Sequence, residues 1–337
     1  MPLNNLMNRW TYWLTGEQHN LRSFSILRIL YGMGILLLLV PSIRERSFLW
    51  GKASFWVDPE ASRRGFLSFD ILMPKDAPVL FEFAFFGLIL LTVLFTIGWY
   101  TRVVLPLMLI LLIGLQANNP YVLNGGDTLM RITLVFMLFA NLSAHYSLDA
   151  RRKKRMSERG RKTIRIVPRH VSNSAHNVGL ILSCFQIIVV YLVSGVWKLT
   201  GTEWLDGTAL FYALRIDAFM LYPMLNELLW QSTLLLYIAT FIALWVQTLF
   251  PLAILWRPTR IIALITLMGM HFGIAVLMGL WPFSLAMIAL DMLFIRDSTW
   301  VSINNWLDKR SSVRKLKDLA DQAQQKNRLP DNRRLSA

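Results

Sequence analysis

One lysine stands at the end of a long apolar run, where its amine could act as a base. The stretch Tyr191–Trp204 reads YLVSGVWKLTGTEW, and Lys198 is its one amine, with Tyr191, Trp197 and Trp204 nearby. An ammonium among aromatic and apolar neighbours is poorly solvated, and this favours the neutral amine that accepts protons. A lysine at the end of a span can instead extend toward the lipid headgroups. The spacing alone leaves both interpretations open.

Four further ionisable residues lie in apolar segments, where a charge needs a partner or a function. Glu82 stands near the start of one apolar run, and His271 lies inside another. Asp127 and Arg131 are four residues apart, so on a helix they share one face and can pair. A solvated span end, a packing histidine and a structural ion pair are the alternative interpretations. With the orientation argued below, these groups and Lys198 lie toward one leaflet, which predicts a polar pocket that opens outward.

The composition is that of a membrane protein. Of the 337 residues, 55% are hydrophobic and 16% charged, whereas a soluble domain has about 25% charged residues. The net charge of +15 comes from basic residues in loops beside the apolar runs, so it does not indicate nucleic-acid binding. The single cysteine excludes a disulfide framework, and the scattered histidines show no metal-type spacing. Any chemistry would therefore rest on acid–base groups and a bound organic cofactor, without a metal.

The pattern of apolar segments predicts an all-α integral membrane protein with about eight transmembrane helices. An amphipathic helix at about 207–219, capped by Asp206 or Thr208, is expected at the extracytoplasmic interface. Residues 1–21 form a polar interfacial segment, 22–297 the membrane domain, and 298–337 a basic tail. The predicted spans are 22–42, 78–98, 103–117, 127–143, 176–197, 228–256, 261–279 and 283–296.

The basic loops predict the orientation. Residues 150–170 contain ten Lys and Arg and one acidic residue, and the tail is also basic. Such segments stay on the cytoplasmic side, which places both termini there, in a multi-pass protein of the inner (cytoplasmic) membrane. The same orientation puts Arg28 and Asp291 toward the inner side, where Arg28 could extend to the headgroups and Asp291 does not join the outward pocket.

Several segments resemble the HTTM (horizontally transferred transmembrane) domain, the membrane domain of vitamin K-dependent gamma-glutamyl carboxylases. The longest is SGVWKLTGTEWLDGTALFYALRIDAF at 194–219, which contains Trp197, Trp204, Arg215 and Asp217 as further candidates to line a pocket. Shorter matching pieces are NGGDTLMR at 124–131, YSLD at 146–149 and MHFGIA at 270–275. Together they spread across roughly residues 20–300.

The resemblance implies a catalytic lysine, which the SG-x-x-K-L pattern aligns with Lys198. In that family the lysine looks like the base that deprotonates a reduced vitamin K or menaquinone. Oxygenation by O2 then yields a base strong enough to remove a proton from a glutamate side chain, to which CO2 adds. A neutral amine in an apolar, outward-facing pocket suits a lipid quinone and excludes water.

Two functions from different classes stay open. The first is a quinol-dependent carboxylase or related enzyme acting on a substrate at the outer membrane face, with Lys198 as general base. The second is a non-catalytic membrane factor that binds or matures an exported peptide in the same pocket. Retention of the lysine favours the first function. The carboxylases also carry a large lumenal portion that this sequence does not contain, which favours the second.

Overall fold

Helices are the regular secondary structure of the part of the chain that the structure describes. A computed structural model describes residues 2–57, 72–161, 167–303 and 305–306, and every regular element in these ranges is a helix. The chain divides into two units, Met1–Phe294 and Ile295–Ala337. The second unit is helical at 297–303, and most of the predicted tail lies outside the described residues. The boundaries predicted at 21 and 297 stay predictions.

The first unit contains fifteen described α-helices, and four short 3-10 turns accompany them at 41–43, 120–122, 217–219 and 292–294. In chain order the α-helices are α1 (Pro2–Thr15), α2 (Leu21–Leu39), α3 (Arg46–Leu49), α4 (Pro78–Ile97), α5 (Thr101–Asn118), α6 (Gly125–Met137), α7 (Leu148–Glu158), α8 (Arg169–Lys198), α9 (Thr202–Leu205), α10 (Ala209–Leu214), α11 (Pro223–Trp230), α12 (Thr233–Thr248), α13 (Phe250–Ala253), α14 (Arg257–Met278) and α15 (Trp281–Asp291).

Five described segments are long and apolar enough to cross a bilayer: α2 with its following turn, α4, α5, α8 and α14. This confirms an all-helical protein with candidate membrane spans among the described residues. The predicted spans at 127–143 and 283–296 correspond to shorter helices, since α6 has 13 residues and α15 has 11. The count of eight crossings, the interfacial position of residues 207–219 and the cytoplasmic termini stay predictions.

The predicted span at 228–256 is not one continuous helix. Helices α11 and α12 meet at an angle of 95°, so together they form a broken span or a re-entrant segment. Pro251 lies in the first turn of the short helix α13, just after α12 ends, a position that proline fits because it lacks a backbone N–H. The predicted helix at 207–219 is likewise divided, into α10 and a 3-10 turn at 217–219.

Arg28 joins three parts of the fold from a fully buried position in α2. Its guanidinium donates to the carbonyl oxygens of Phe95 at 2.7 Å, Leu142 at 3.2 Å and Tyr146 at 2.7 Å, and also to Thr96. The oxygens near a helix C-terminus carry partial negative charge, which the buried cation offsets. The expectation that Arg28 extends toward the headgroups is therefore wrong, because the carbonyls of α4 and the 138–147 turn bind it inside the bundle.

Two close helix contacts bring the functional side chains together. Helix α8 packs against α12, and α15 packs against α2, α14 and α8. At the first contact, a Cβ atom on Gly195 would lie 2.6 Å from the backbone nitrogen of Thr248 and 2.7 Å from its Cα. Only glycine permits that approach, as is usual where membrane helices meet closely. The contact places the end of α8 beside the end of α12.

Candidate functional site

Lys198, the last residue of α8, lies among neutral hydrogen-bond acceptors. Its Nζ atom is 2.6 Å from Ser194 Oγ and 2.8 Å from Gln247 Oε1, and it lies 5.0 Å from the centre of the Trp204 ring. Among the described residues, no carboxylate oxygen lies within 4.0 Å of this nitrogen. In the described part of the chain, the protonated form of Lys198 is therefore not stabilised by an ion pair with a carboxylate.

The side chain of Gln247 is held from several sides. Its Oε1 accepts from Ser194 Oγ at 3.0 Å as well as from Lys198, and its Nε2 contacts Met270 Sδ at 3.3 Å. Ser194 lies one helical turn before Lys198, so α8 presents both residues on the same face. The close approach at Gly195 brings α12 near enough for Gln247 to reach them. The position of the amine thus follows from the packing of α8 on α12.

A cavity of about 610 Å³ lies beside the amine. This volume falls within the range of roughly 300–1,000 Å³ that is usual for small-molecule pockets. Most of the lining is apolar, and it comes from α6, α8, α9, α10, α12, α14 and α15. The polar side chains in the wall include Ser194, Lys198, Gln247 and His271. Such a cavity suits a largely hydrophobic molecule with a few polar atoms.

A second cluster of polar side chains, beside the cavity, connects three helices. The hydroxyl of Tyr191 in α8 lies 3.0 Å from both carboxylate oxygens of Asp291 in α15, and 3.1 Å from Nε2 of His271 in α14. All three side chains are buried, and Tyr191 and His271 also line the cavity. The Nδ1 atom of His271 has no hydrogen-bond partner among the described residues. These hydrogen bonds therefore connect α8, α14 and α15 beside the cavity.

Comparison with known families decides the classification. The sequence profile of the HTTM domain matches residues 17–300, which is most of the chain. The protein belongs to the HTTM domain family. No curated protein and no solved structure matches the sequence significantly. The matched region contains every described helix that lines the cavity.

Within the HTTM domain, three predicted site residues lie away from the Lys198 cavity. Glu82 forms an ion pair with Arg46 of α3, with 2.7 Å between its Oε2 and the arginine Nε. Asp127 is buried at the start of α6, where it accepts from the backbone N–H of Asn124 at 2.8 Å and completes a capping box. Arg131 donates to a glutamine side chain at 3.2 Å. The expectation that these groups share one pocket with Lys198 is corrected, because none of the three lines the cavity.

The long HTTM segment at 194–219 divides between the cavity and its exterior. Trp204 lines the cavity, whereas Trp197 is 72% exposed and does not line it. Arg215 lies over the rings of Phe211, at 4.9 Å, and Trp230. Asp217 begins an exposed 3-10 turn. Of the predicted residues, the structure brings Lys198, Trp204 and His271 together around one cavity.

The structure adds residues that the sequence analysis did not select. Asp291 was expected to lie apart from the outward-facing groups, but it binds Tyr191, which also contacts His271. Ser194 and Gln247 hold the amine of Lys198. A glutamine inside the apolar run of α12 is itself a signal of a polar contact between membrane helices, and this signal could have identified Gln247.

Proposed function

We propose that this HTTM-domain protein binds a reduced naphthoquinone of the vitamin K or menaquinone type, with Lys198 as the general base. The proposed chemistry is carboxylation, or a related modification, of a substrate such as an exported peptide at the outer face of the inner membrane. The observation that carries the proposal is the amine of Lys198, held by the neutral oxygens of Ser194 and Gln247 at the wall of a largely apolar cavity.

The cavity fits such a ligand in size and polarity. A naphthoquinol has a flat apolar ring system with an oxygen on each side, and the cavity of about 610 Å³ offers apolar walls with few polar atoms. Lys198, Tyr191 and His271 are the lining residues able to exchange protons, and the hydroxyl of Tyr191 is already engaged by Asp291 and His271. Trp204 supplies an aromatic surface next to the amine.

The residues of the chain would then perform three tasks. Lys198 accepts a proton from a ligand hydroxyl at its Nζ atom. Ser194 and Gln247 fix the position of that atom, and this positioning lowers the entropic barrier to proton transfer. The apolar walls exclude water, which would otherwise quench a reactive carbanion. When bound, the quinol supplies the reducing electrons for chemistry with O2, and CO2 is the second co-substrate if the reaction is a carboxylation.

The test is the oxygen-dependent conversion of a reduced naphthoquinone to its epoxide by the purified full chain in lipid nanodiscs. Wild-type protein is expected to form the epoxide, and Lys198→Met to lose at least about a hundredfold in rate, as for a missing general base. Lys153→Met, on the exposed helix α7, is the control for loss of a lysine and is expected to keep the wild-type rate.

The result also separates the two functional classes. Full epoxide formation by Lys198→Met would overturn the role of the lysine. Quinone binding by wild-type protein without any turnover would contradict the catalytic proposal and favour a non-catalytic membrane factor. Mass spectrometry of the lipids that co-purify with the chain measures binding independently of turnover.

A further inference from the structure

Helix α7 carries a dense cluster of positive charge. Five of its eleven residues are basic and exposed: Arg151, Arg152, Lys153, Lys154 and Arg155. Of its two acidic residues, Asp149 is already engaged, because its carboxylate oxygens accept from the backbone N–H groups of Tyr100 and Thr101, each at 3.1 Å. The surface of α7 is therefore strongly positive and suits an anionic partner.

The start of α7 is fixed to the turn between α4 and α5. The backbone N–H of Asp149 donates to the carbonyl of Gly98 at 3.0 Å, and the guanidinium of Arg152 lies 4.5 Å from the centre of the Tyr100 ring. Helices α4 and α5 are both candidate spans, so the turn that joins them lies at a membrane surface. Exposed aromatic residues such as Trp99 and Tyr100 are typical of that level. The basic helix is therefore held beside the lipid headgroups.

A small cavity lies next to this turn. It has a volume of about 240 Å³ and lies between the first two turns of α5 and the segment 137–143 at the end of α6. Arg102 and Ser143 line it together with apolar residues such as Leu105 and Leu138. Among the described residues, no carboxylate oxygen lies within 4.0 Å of the Arg102 guanidinium. The cavity thus combines apolar walls with a cation that has no ion-pair partner in the described chain.

From this arrangement we propose that the cavity and α7 together bind an anionic phospholipid. Its phosphate binds the guanidinium of Arg102, and the upper part of an acyl chain contacts Leu105 and Leu138. The basic residues of α7 add attraction to the negatively charged headgroup, as basic pockets between membrane helices do. A nucleic acid would use the charge of α7 but leave the apolar walls uncovered, so the lipid is the occupant that fits both features.

This site is separate from the one around Lys198. The two cavities share no lining residue. The inference therefore goes beyond the proposed function and does not depend on it. An experiment on lipid binding can fail without affecting the role of the lysine, and the reverse also holds.

The test measures which lipids the purified full-length protein retains from nanodiscs with equal amounts of phosphatidylglycerol and phosphatidylcholine. Native mass spectrometry counts the retained lipids. Wild-type protein is expected to prefer phosphatidylglycerol by at least about fivefold, and Arg102→Gln to lower this preference by about fivefold, the effect of one basic residue near an anionic membrane surface. Arg152→Gln should lower it by a similar factor.

The matched control is Arg257→Gln. Arg257 is also an exposed arginine in the first turn of a candidate span, α14, but it does not line the cavity. Its substitution should change the preference by less than about twofold, because the retained lipid lies elsewhere. Equal retention of the two lipids by wild-type protein would overturn the proposal. Equal losses in Arg102→Gln and Arg257→Gln would overturn it too, since they would show only a general attraction between basic residues and the membrane.

A second measurement needs no substitution and so does not depend on the folding of a variant. Phosphatidylglycerol with a photoreactive diazirine near the top of one acyl chain is expected to label residues 101–106 or 137–143 of wild-type protein. Excess unlabelled phosphatidylglycerol should prevent this labelling, and the same excess of phosphatidylcholine should not. Equal competition by both lipids would contradict recognition of the anionic headgroup. Labelling that a short RNA prevents and phosphatidylglycerol does not would assign the basic surface to a nucleic acid and also overturn the proposal.

Discussion

The substitution Gly195→Ala is expected to separate α8 from α12 and to disturb the site around Lys198. The added methyl carbon would lie 2.6 Å from the backbone nitrogen of Thr248 and 2.7 Å from its Cα, whereas carbon contacts are normally about 3.5–4.0 Å. The helices must therefore move apart by roughly 1 Å. Backbone atoms cannot rotate away as a flexible side chain can, so we expect a loss of about 1–3 kcal/mol in the free energy of unfolding.

The assay is reversible unfolding of the protein in mixed micelles with increasing SDS, followed by tryptophan fluorescence. Gly269→Ala is the control, because its methyl group meets no atom within 4 Å. This control measures how much the exchange of glycine for alanine in a helix changes the free energy of unfolding by itself, an effect that favours alanine by up to about 1 kcal/mol. The difference between the two variants isolates the contact of Gly195 with α12.

The same variant should also impair quinone binding, since the separation moves Gln247 away from the amine of Lys198, now at 2.8 Å. Equal stability of Gly195→Ala and Gly269→Ala would refute the packing argument. A clear loss of stability with unchanged quinone binding would refute the connection between this contact and the site.

Three further substitutions test other contacts by the same unfolding measurement. Tyr191→Phe removes the hydroxyl that binds both oxygens of Asp291 and should lower stability by about 1–3 kcal/mol; an unchanged value would mean that the carboxyl group finds another partner. In Arg28→Lys, one ammonium cannot reach all four carbonyl oxygens, so the free energy of unfolding should fall by at least about 2 kcal/mol. Unchanged stability would contradict the role of Arg28 in connecting α2 to α4 and the 138–147 turn. Asp149→Ala removes the acceptor for two N–H groups at the start of α5, including that of Thr101. We expect the free energy of unfolding to fall by about 0.5–2 kcal/mol, and an unchanged value would contradict the role of Asp149 as a cap of α5.

The sequence was sufficient to predict the class of fold and the position of one important side chain. Apolar runs with few charges give long helices in a bilayer because every backbone N–H and C=O must be satisfied within the segment. Lys198 could be selected because a single amine at the end of such a run, among aromatic residues, is unusual. The structure places this amine at the wall of a cavity, and its role as a base stays a prediction.

The partners of the charged residues could not be predicted, because they depend on contacts between distant segments. Glu82 pairs with Arg46, 36 positions earlier in the chain. Asp291 was assigned to the inner side on the assumption that its segment crosses the whole membrane, but α15 has only 11 residues. Its last residue, Asp291, accepts a hydrogen bond from Tyr191, about two turns before the end of α8. The hydrophobicity of a segment does not reveal at which depth of the membrane a short helix such as α15 begins.

Breaks within apolar segments could not be predicted from the hydrophobicity pattern either. The bend of 95° between α11 and α12 occurs where Gln231 and Ser232 interrupt the helix. A window of average hydrophobicity passes over two polar residues, so residues 228–256 were predicted as one span, either tilted or including an interfacial turn. Helix α12, which begins after the break, carries Gln247 at the wall of the cavity.

The central claim is that the amine of Lys198 accepts a proton from a bound quinol. Its most direct test is chemical rescue of Lys198→Ala, which leaves space at the cavity wall for a small primary amine. We expect this variant to lose quinol epoxidation and to regain it with added amines, at rates that rise with the basicity of the amine. Epoxidation at the wild-type rate in Lys198→Ala without any added amine would contradict the claim.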